Sequence, residues 1–459
     1  MGGNLRARLQ RIREAGSPAK PADARSSSQA AGRIPAEAGS PRGFSGWTPL
    51  GFKVLERSAL LDLPAAPVYP LPPSLSVLVP DLLRYAAAPE AAPGSGAPAS
   101  RALFLEDLLF FDLETTGLSG GAGTAAFLAA FGRFVKDPGR AGPQDYRLQV
   151  KQYLLLDYPG ENDFLEAALA EFAPSPAPSG CGRSPLTVTY NGKSFDSQIL
   201  KTRCLMNGMT PPVFYHADLL HPSRRLWKRV LPSCSQGTIE TEALGLDRTG
   251  DIPGSMAPEI WFSYLRSGGD PAAEAALLGI CDHNLRDILG LAVLFTALAR
   301  IAADPLEAGI YRVDKAALAL CWRKAARRGN GNAAFYGQPD RPGKDAAEPG
   351  KTARRLMEAA EEEFPLAGYV LGLDLIRGGS AEEGRRRLRS LLNRTLSPAL
   401  RSAVYRALAI DAEWRLRDRR AALGYTETAL GIDGTGPAAR EDLRSRRDRL
   451  LRLLNRAEG

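Results

Sequence analysis

The sequence has few cysteines, few histidines and no long uninterrupted apolar run. It contains 5 cysteines and 3 histidines in 459 residues. The cysteines lack CxxC spacing, which argues against a zinc cluster and a disulfide framework and indicates reduced packing residues. No apolar run reaches about 18 residues, so no membrane span is expected. The early arginines are not followed by the apolar segment of a secretory signal, and we expect a cytoplasmic protein.

The overall composition is that of an ordinary globular protein. Apolar residues make up 44% and charged residues 24% of the chain, and the length suits two or three domains. The formal net charge of +8 suits a polyanionic partner. High arginine, alanine and glycine usage is equally the mark of a GC-rich genome, so charge alone leaves both interpretations open.

Composition along the chain predicts four segments. Residues 1–44 have almost no aromatic residues and are predicted to be a disordered basic tail. Residues 45–100 are predicted to be an arm and a linker rich in proline and alanine. Residues 101–302 have an α/β pattern, whereas residues 303–459 are helical almost throughout.

The α/β segment begins with a strand pattern that is apolar on both faces, Leu108–Glu114. A glycine-rich turn and a second apolar run, 125–134, predict a hairpin. Further strands are expected at 146–156, 186–190 and 213–217, with helices after the last two. Three strands followed by alternating strands and helices is the order of an RNase-H-like mixed sheet flanked by helices.

The carboxy-terminal pattern predicts two helical hairpins, at 366–392 and 399–430. Small and aromatic residues recur at helical spacing in the second, at Ala421, Tyr425 and Ala429. This spacing is typical of tetratricopeptide helix pairs, although a plain helical bundle would fit as well.

Asp112 and Glu114 are the first candidate site residues. They lie two apart on the first predicted strand, so both point to the same face. Charged side chains in so apolar a strand are costly to bury unless they are paired or hold a metal. An exposed strand end with a salt bridge is the simpler alternative. Phosphodiester cleavage with two divalent metals needs several carboxylates that converge on ions roughly 3.5–4 Å apart.

Two further motifs supply carboxylates. Asp196 follows a strand and a glycine turn and is expected in the first turn of a helix that Ser194 caps. An acidic residue there is commonly only a partner of the helix dipole. In a long helix expected from Pro271 to Ala299, His283, Asn284 and Asp287 share one face. A base or orienting group would then lie beside a metal ligand.

The ordered motifs Asp112-x-Glu114, Asn191-Gly-x-x-Phe-Asp196 and His283-Asn-x-x-Asp287 resemble the exonuclease motifs of the DEDD superfamily. The resemblance is greatest to its bacterial YprB-like branch, in which tetratricopeptide-like helices follow the RNase-H-like domain. It implies a 3′→5′ exonuclease on single-stranded DNA or RNA that uses two Mg²⁺ or Mn²⁺ ions. The implied metal ligands are the four carboxylates Asp112, Glu114, Asp196 and Asp287.

One spacing departs from this resemblance. Other DEDD members place a histidine five residues before the last aspartate, or a tyrosine four before it. Here His283 stands four before Asp287, so it is predicted either to activate the attacking water or to form a supporting hydrogen bond. The residues predicted to contact the substrate are Thr115, Gly117, Asn191 and Asn284.

Several other residues can be explained by a structural role as well as by a functional one. Asp218 is interpreted as a cap or a partner of the following arginines, or else as a fifth acidic group. The basic residues from Arg224 to Arg229 either contact phosphates or form a solvated helix face, and Trp227 is expected in the core. A metal pair formed by His216 and His221 is disfavoured.

An alternative function is an inactive nuclease fold that binds nucleic acid as an adaptor. Its helical region would recruit a protein partner. The complete set of four carboxylates argues against this alternative.

Overall fold

The computed structural model describes residues 43–86, 103–117, 123–137, 146–174, 184–327 and 349–458. Nearly all of the predicted tail, most of the linker and the middle of the glycine-rich turn lie outside these residues. The described part begins close to Phe44, whose side chain is already buried in the core.

Within the described ranges, seven strands form one mixed sheet, in the order β1-β2-β5-β4-β3-β6-β7. Their bounds are β1 (Thr48–Gly51), β2 (Val54–Leu61), β3 (Leu108–Thr115), β4 (Ala126–Lys136), β5 (Tyr146–Leu155), β6 (Leu186–Thr189) and β7 (Tyr215–Asp218). β3, β4 and β5 pair antiparallel, and β6 and β7 run parallel to β3. The predicted RNase-H-like mixed sheet is confirmed.

The segment predicted as an arm contributes the first two strands. β2 pairs antiparallel with β5 from Val54 to Leu61. After two buried residues, its side chains alternate between half-buried and exposed positions, as expected for a strand with one solvated face. The arm is therefore an extension of the sheet, and it brings Arg57 next to β5.

Short and long helices cover both faces of the sheet. They are α1 (Leu75–Leu78), α2 (Asp81–Ala86), α3 (Glu161–Ala170), α4 (Asp196–Met206), α5 (Leu220–Trp227), α6 (Gln236–Glu242), α7 (Ala257–Ser267), α8 (Pro271–Ala303) and α9 (Lys315–Arg327). α8 has 33 residues, begins at the N-cap Asp270, and contacts β3, β4 and β5. Its buried positions are shared between the two apolar cores of the sheet.

The carboxy-terminal region is helical. Its helices are α10 (Pro349–Ala360), α11 (Pro365–Arg377), α12 (Ala381–Leu391), α13 (Pro398–Asp411), α14 (Arg419–Leu430) and α15 (Pro437–Glu458), with a π-helical turn, Ala412–Leu416, after α13. Consecutive helices pack on each other. The two predicted hairpins are present as α11–α12 and α13–α14; their tetratricopeptide-like character stays a prediction.

Close packing explains one glycine pair in this region. A Cβ on Gly384 of α12 would lie 2.6 Å from the carbonyl oxygen of Gly372 in α11. Such a contact excludes a side chain, so the two helices approach each other closely at these positions.

Two expectations concerned the cysteines and membrane-spanning helices. The cysteines in the described residues, Cys204, Cys234, Cys281 and Cys321, are free, and Cys181 lies outside them. Among the described helices, none combines the length and the apolar character needed to cross a membrane.

Candidate active site

β3 carries the first two carboxylates into the middle of the sheet. Asp112 and Glu114 are separated by Leu113 and share one face of the strand. Glu114 is 8% exposed. Neither carboxylate forms a salt bridge with Lys or Arg in the described part of the chain; Glu114 Oε1 lies 3.9 Å from His283 Nε2. This largely apolar strand thus holds one buried acid, Glu114, and one half-buried acid, Asp112, and no lysine or arginine of the described residues pairs with either.

The turn after β6 places the third carboxylate. Asn191 adopts a left-handed conformation, with φ of 66°. The buried carboxylate of Asp218 accepts hydrogen bonds from the backbone N–H groups of Asn191 and Leu220 at 2.8 and 3.0 Å. Asp218 is therefore a backbone cap, as one interpretation of the sequence expected. The turn directs Asp196 into the first turn of α4, where it is 5% exposed.

The predicted cap of this helix was wrong. Ser194 precedes the N-cap residue, which is Phe195, and that residue makes no side-chain capping bond. The backbone N–H of Ser194 instead donates to the carbonyl of Asn191, and that of Ser197 to Gly192. The turn satisfies these donors through its backbone, so a side-chain cap is not needed.

We expect Gly192→Ala to impair the site, because Gly192 leaves no room for a side chain. A Cβ would lie 2.7 Å from Thr189 Cβ and 2.9 Å from Asp196 Oδ2. An added methyl group would displace the Asp196 carboxylate. This displacement should lower the rate of metal-dependent cleavage by about tenfold or more, since small displacements of catalytic groups are costly. The matched control is Gly237→Ala, where a Cβ meets nothing within 4 Å. Equal rates for the two variants, measured under the same conditions, would contradict this role.

α8 brings the last motif against β3. Asn284 is fully buried, and its Nδ2 donates to Asp112 Oδ2 at 2.7 Å. Gln152 Nε2 donates to Asn284 Oδ1 at 2.9 Å, and Arg57 Nε donates to Gln152 Oε1 at 2.6 Å. Sequence reasoning predicted a substrate contact for Asn284. These bonds favour a different role, which is to hold Asp112 in place.

His283 lies between three carboxylates. Its Nδ1 is 3.0 Å from Asp251 Oδ2, and its Nε2 is 3.3 Å from Asp287 Oδ2 and 3.9 Å from Glu114 Oε1. Ligand atoms of Glu114, His283 and Asp287 lie within 4.8 Å of one another, close enough to share a metal ion. Gly254 forms part of the wall, since a Cβ there would lie 3.0 Å from His283 Nε2.

Burial raises the pKa of three acids of the cluster, Asp112, Glu114 and Asp196. Burial raises the pKa of Asp112, and the three neighbouring carboxylates raise it further. The pKa of Glu114 is raised by burial and then by Asp287 and Asp196. Burial raises the pKa of Asp196 to about 7, although backbone hydrogen bonds lower it. The four predicted ligands therefore share one electrostatic environment.

In metal-free buffer, we expect the cluster to destabilise the fold as pH rises from about 4 to above 7. The folded-state pKa of Asp196 lies near 7, above its usual value of 3.8, so the folded chain binds more protons in this window. Linkage then makes the free energy of unfolding decrease with pH.

Urea unfolding in EDTA, at about pH 5 and about pH 8, measures this contribution. Asp196→Asn, which has no proton to release, should lose less stability between these pH values than the parent. An equal or larger loss in the variant would show that Asp196 does not titrate in this way.

Arg248 is the main counter-charge of the site, and sequence reasoning missed it. Its guanidinium bonds Glu240 at 2.6 Å and Asp251 at 2.6 Å, and it also bonds Asp287. Glu240 is fully buried against Gly290 of α8, where a Cβ would collide with its carboxylate. The loop that carries Arg248 follows no recognisable motif, so only the fold brings it to Asp287.

The other residues that the sequence singled out either support the local backbone, lie in the core or line a cavity. Thr115 Oγ1 donates to the carbonyl of Gly117 at 2.8 Å, which shapes the start of the glycine-rich turn. Trp227 is fully buried, as expected, and its Nε1 donates to the carbonyl of Tyr311. Arg224 and Lys228 line an open cavity of about 760 Å³ that also borders Asn191.

The histidines of β7 and α5 belong to no group of three or more possible metal ligands among the described residues. His216 Nε2 lies 2.8 Å from Thr189 Oγ1, and burial lowers the pKa of His216 to about 4. The candidate metal group found among the described residues contains His283 instead. The disfavoured interpretation of His216 and His221 gains no support.

The donor set fits hard divalent cations. Carboxylate oxygens dominate it, with one imidazole nitrogen, and Mg²⁺ and Mn²⁺ prefer oxygen ligands. Two buried acids, Glu114 and Asp196, lie close to two half-buried ones, Asp112 and Asp287. A bound cation would compensate their combined negative charge. The sheet order is that of an RNase-H-like fold, and the acidic cluster is a candidate site for divalent metals.

Comparison with known proteins supports the RNase-H-like fold. Residues 109–299 match the family model RNase_H_2 of the RNase_H superfamily, so this segment is an RNase-H-like domain. An uncharacterized protein of Bacillus subtilis (strain 168), YprB, is 38% identical to this chain over 198 residues. The match covers 42% of this chain and 42% of that relative. The superfamily indicates a nuclease-type activity on nucleic acid that uses divalent metals.

Proposed function

We propose that the chain is a DEDD-type exonuclease that hydrolyses single-stranded DNA or RNA in the 3′→5′ direction. The observation that carries the proposal is the acidic cluster. Strand β3, the first turn of α4 and the middle of α8 bring four carboxylates so close that each of two of them, Asp112 and Glu114, has its pKa raised by charges from the other motifs.

The four carboxylates would hold two divalent ions. Bound ions supply charge neutralisation for a reacting phosphodiester and help activate water. Asn284 fixes the orientation of Asp112, and the turn at Asn191 fixes Asp196. These residues hold the ligand oxygens in place before substrate arrives, which is what positioning a reactive phosphate requires.

His283 is assigned the proton-transfer role. Asp251 faces its Nδ1, so its Nε2 points toward Glu114 and Asp287. An imidazole placed in this way is suited to accept a proton from water at the edge of the ligand cluster. The unusual spacing from Asp287 is compatible with this geometry, because four residues are about one helical turn.

We expect His283→Ala to lower turnover by about 10²- to 10⁴-fold, the usual effect of losing a general base. Stabilisation by Mn²⁺ should remain, because the four carboxylates are unchanged. His221→Ala, an exposed histidine of α5, is the matched control and should leave the rate within twofold. An unchanged rate in His283→Ala would remove this assignment, and loss of Mn²⁺ stabilisation would make His283 a metal ligand instead.

Polarity and sugar preference are tested with blocked substrates. Single-stranded DNA and RNA oligonucleotides carrying a blocked 3′ or 5′ end are incubated with the chain and Mn²⁺. A 3′→5′ exonuclease is inhibited only by the 3′ block. Cleavage of a circular strand would show an endonuclease instead.

Four expectations from the sequence stay predictions. They are the cytoplasmic location, the boundaries of the four segments, the tetratricopeptide-like character of the helices and their recruitment of a protein partner.

A further inference from the structure

Charge is divided unevenly between the two halves of the protein. Residues 103–314 contain 18 Lys and Arg against 25 Asp and Glu, whereas residues 315–459 contain 29 against 19. The helical region therefore carries a net charge of +10, and the nuclease segment carries −7. A polyanionic substrate is attracted by the helical region and repelled by the nuclease segment. The excess positive charge therefore lies away from the proposed catalytic carboxylates.

The positive charge of the helical region lines a cavity. This cavity, of about 810 Å³, lies among α9, α10, α11 and α12. Its wall has five arginines but three carboxylates: Arg323, Arg327, Arg354, Arg377, Arg387, Glu358, Asp374 and Glu383. Three of these arginines form ion pairs: Arg323 with Asp374 at 2.5 Å, Arg354 with Glu358 at 2.9 Å and Arg387 with Glu361 at 3.1 Å. Arg327 and Arg377 are exposed and form no ion pair with any residue that the structure describes.

A second, smaller cavity of about 230 Å³ lies beside the first and shares Arg377 with it. It is lined by Arg406, Arg415 and Asp411 and by two aromatic side chains, Tyr369 and Trp414. Arg406 pairs with Asp442 at 2.7 Å and Arg415 with Asp411 at 3.5 Å, so Arg377 carries the free charge of this cavity among the described residues. The two cavities together, joined at Arg377, are termed the arginine cleft.

Trp414 is the second independent feature of the cleft. It lies on the π-helical turn after α13 and is 56% exposed. Arg449 Cζ lies 5.6 Å from the centroid of its ring. Tryptophan is rarely left so open, and π-helical turns often occur at functional positions. An exposed indole next to arginines is the arrangement that stacks on nucleobases.

We propose that the arginine cleft binds the single-stranded nucleic acid that the acidic site cleaves. This inference rests on the nuclease function proposed above. Unpaired arginines such as Arg377 would contact phosphates, and Trp414 would stack on a base. The helical region would then retain a strand whose end is processed in the nuclease domain.

Nucleic acid fits the cleft better than an acidic protein segment does. Both would be attracted by the positive charge of Arg377. Only nucleic acid also uses an exposed indole as a stacking platform, since every base has a π face. The alternative partner is an outcome of the experiment.

The test measures binding of a fluorescein-labelled 20-residue oligothymidylate to the full chain by anisotropy, in EDTA so that cleavage is suppressed. Arg377→Glu should weaken binding by about tenfold or more and reduce the salt slope of log Kd by about one. Trp414→Ala should weaken binding by about tenfold, because stacking contributes about 1–3 kcal/mol for each base. It should leave the salt slope unchanged.

Arg355→Glu is the matched control. Arg355 is an exposed arginine of α10 that lines neither cavity, and its reversal changes the net charge equally. Binding should stay within twofold of the parent. Equal losses for Arg355→Glu and Arg377→Glu would overturn the proposal by showing that only net charge matters. Arg377→Gln, with an intermediate loss and a native melting temperature, excludes misfolding as the cause.

A labelled poly-glutamate peptide of similar charge separates the two partner classes. Tight peptide binding that Arg377→Glu abolishes, with oligothymidylate binding unaffected by Trp414→Ala, would overturn the proposal in favour of an acidic protein. Because binding is measured without metal, it is independent of catalysis. A chain that binds through the cleft but cleaves nothing would refute the proposed nuclease alone.

Discussion

Replacing Asp287 with asparagine should abolish the rise in melting temperature that Mn²⁺ gives the parent chain. It should also lower the rate of cleavage by about 10³-fold or more, as expected when one member of a catalytic set is lost. The reason is geometric: Asp287 has a carboxylate oxygen within 4.8 Å of ligand atoms on Glu114 and His283. A cation that binds only the folded chain stabilises it by mass action, so losing a ligand weakens that stabilisation.

A matched control separates metal binding from a general loss of negative charge. Asp304, just after the end of α8, is exposed and forms no ion pair with a described residue. Asp304→Asn should keep both the Mn²⁺ stabilisation and the cleavage rate within twofold of the parent. If Asp287→Asn kept them too, α8 would not contribute to a metal site.

Replacing Arg248 with methionine should lower the free energy of unfolding by about 3–5 kcal/mol, the usual result of removing one partner from a buried ion pair. The Arg248 side chain is 14% exposed, and it compensates Glu240, whose side chain is fully buried. Burial raises the pKa of Glu240, and Arg248 lowers it. Without Arg248 that pKa should therefore rise further, and the carboxylate is left without its cation. Urea denaturation of the metal-free chain measures the loss.

Two variants show whether the buried carboxylate causes the loss. The combination of Arg248→Met with Glu240→Gln should recover at least about 1 kcal/mol, since the uncompensated charge is removed. Arg286→Met is the control, because its side chain is 42% exposed and contacts Asp251 only at 3.3 Å. It should cost less than about 1 kcal/mol. A small loss in Arg248→Met, equal to that of the control, would contradict this account.

The sequence predicted the elements that follow a simple period. β3, β4 and β5 were found because their apolar runs are long and each is bounded by glycine or polar residues. α8 was found because its apolar spacing is regular. Asp112, Glu114 and Asp287 could be placed on shared faces, since alternation in strands and the three-to-four spacing in helices are local properties.

The contacts made across the fold could not be predicted in this way. Arg248 reaches Asp287 from a loop 39 positions earlier, and Gln152 reaches Asn284 across 132 positions. Their partners are set by the packing of α6, α8 and β5, which a period in the sequence does not specify. β2 was predicted only as part of an arm, because its half-apolar pattern is short and lies among prolines.

The central claim is that the acidic cluster cleaves nucleic acid with divalent metals. Digestion of end-labelled single-stranded DNA and RNA with Mn²⁺ or Mg²⁺, by the purified chain and its Asp112→Asn variant, tests it most directly. We predict stepwise shortening of at least one substrate by the parent chain, none in EDTA and none by the variant. Intact substrates with every metal, or equal cleavage by parent and variant, would contradict the claim.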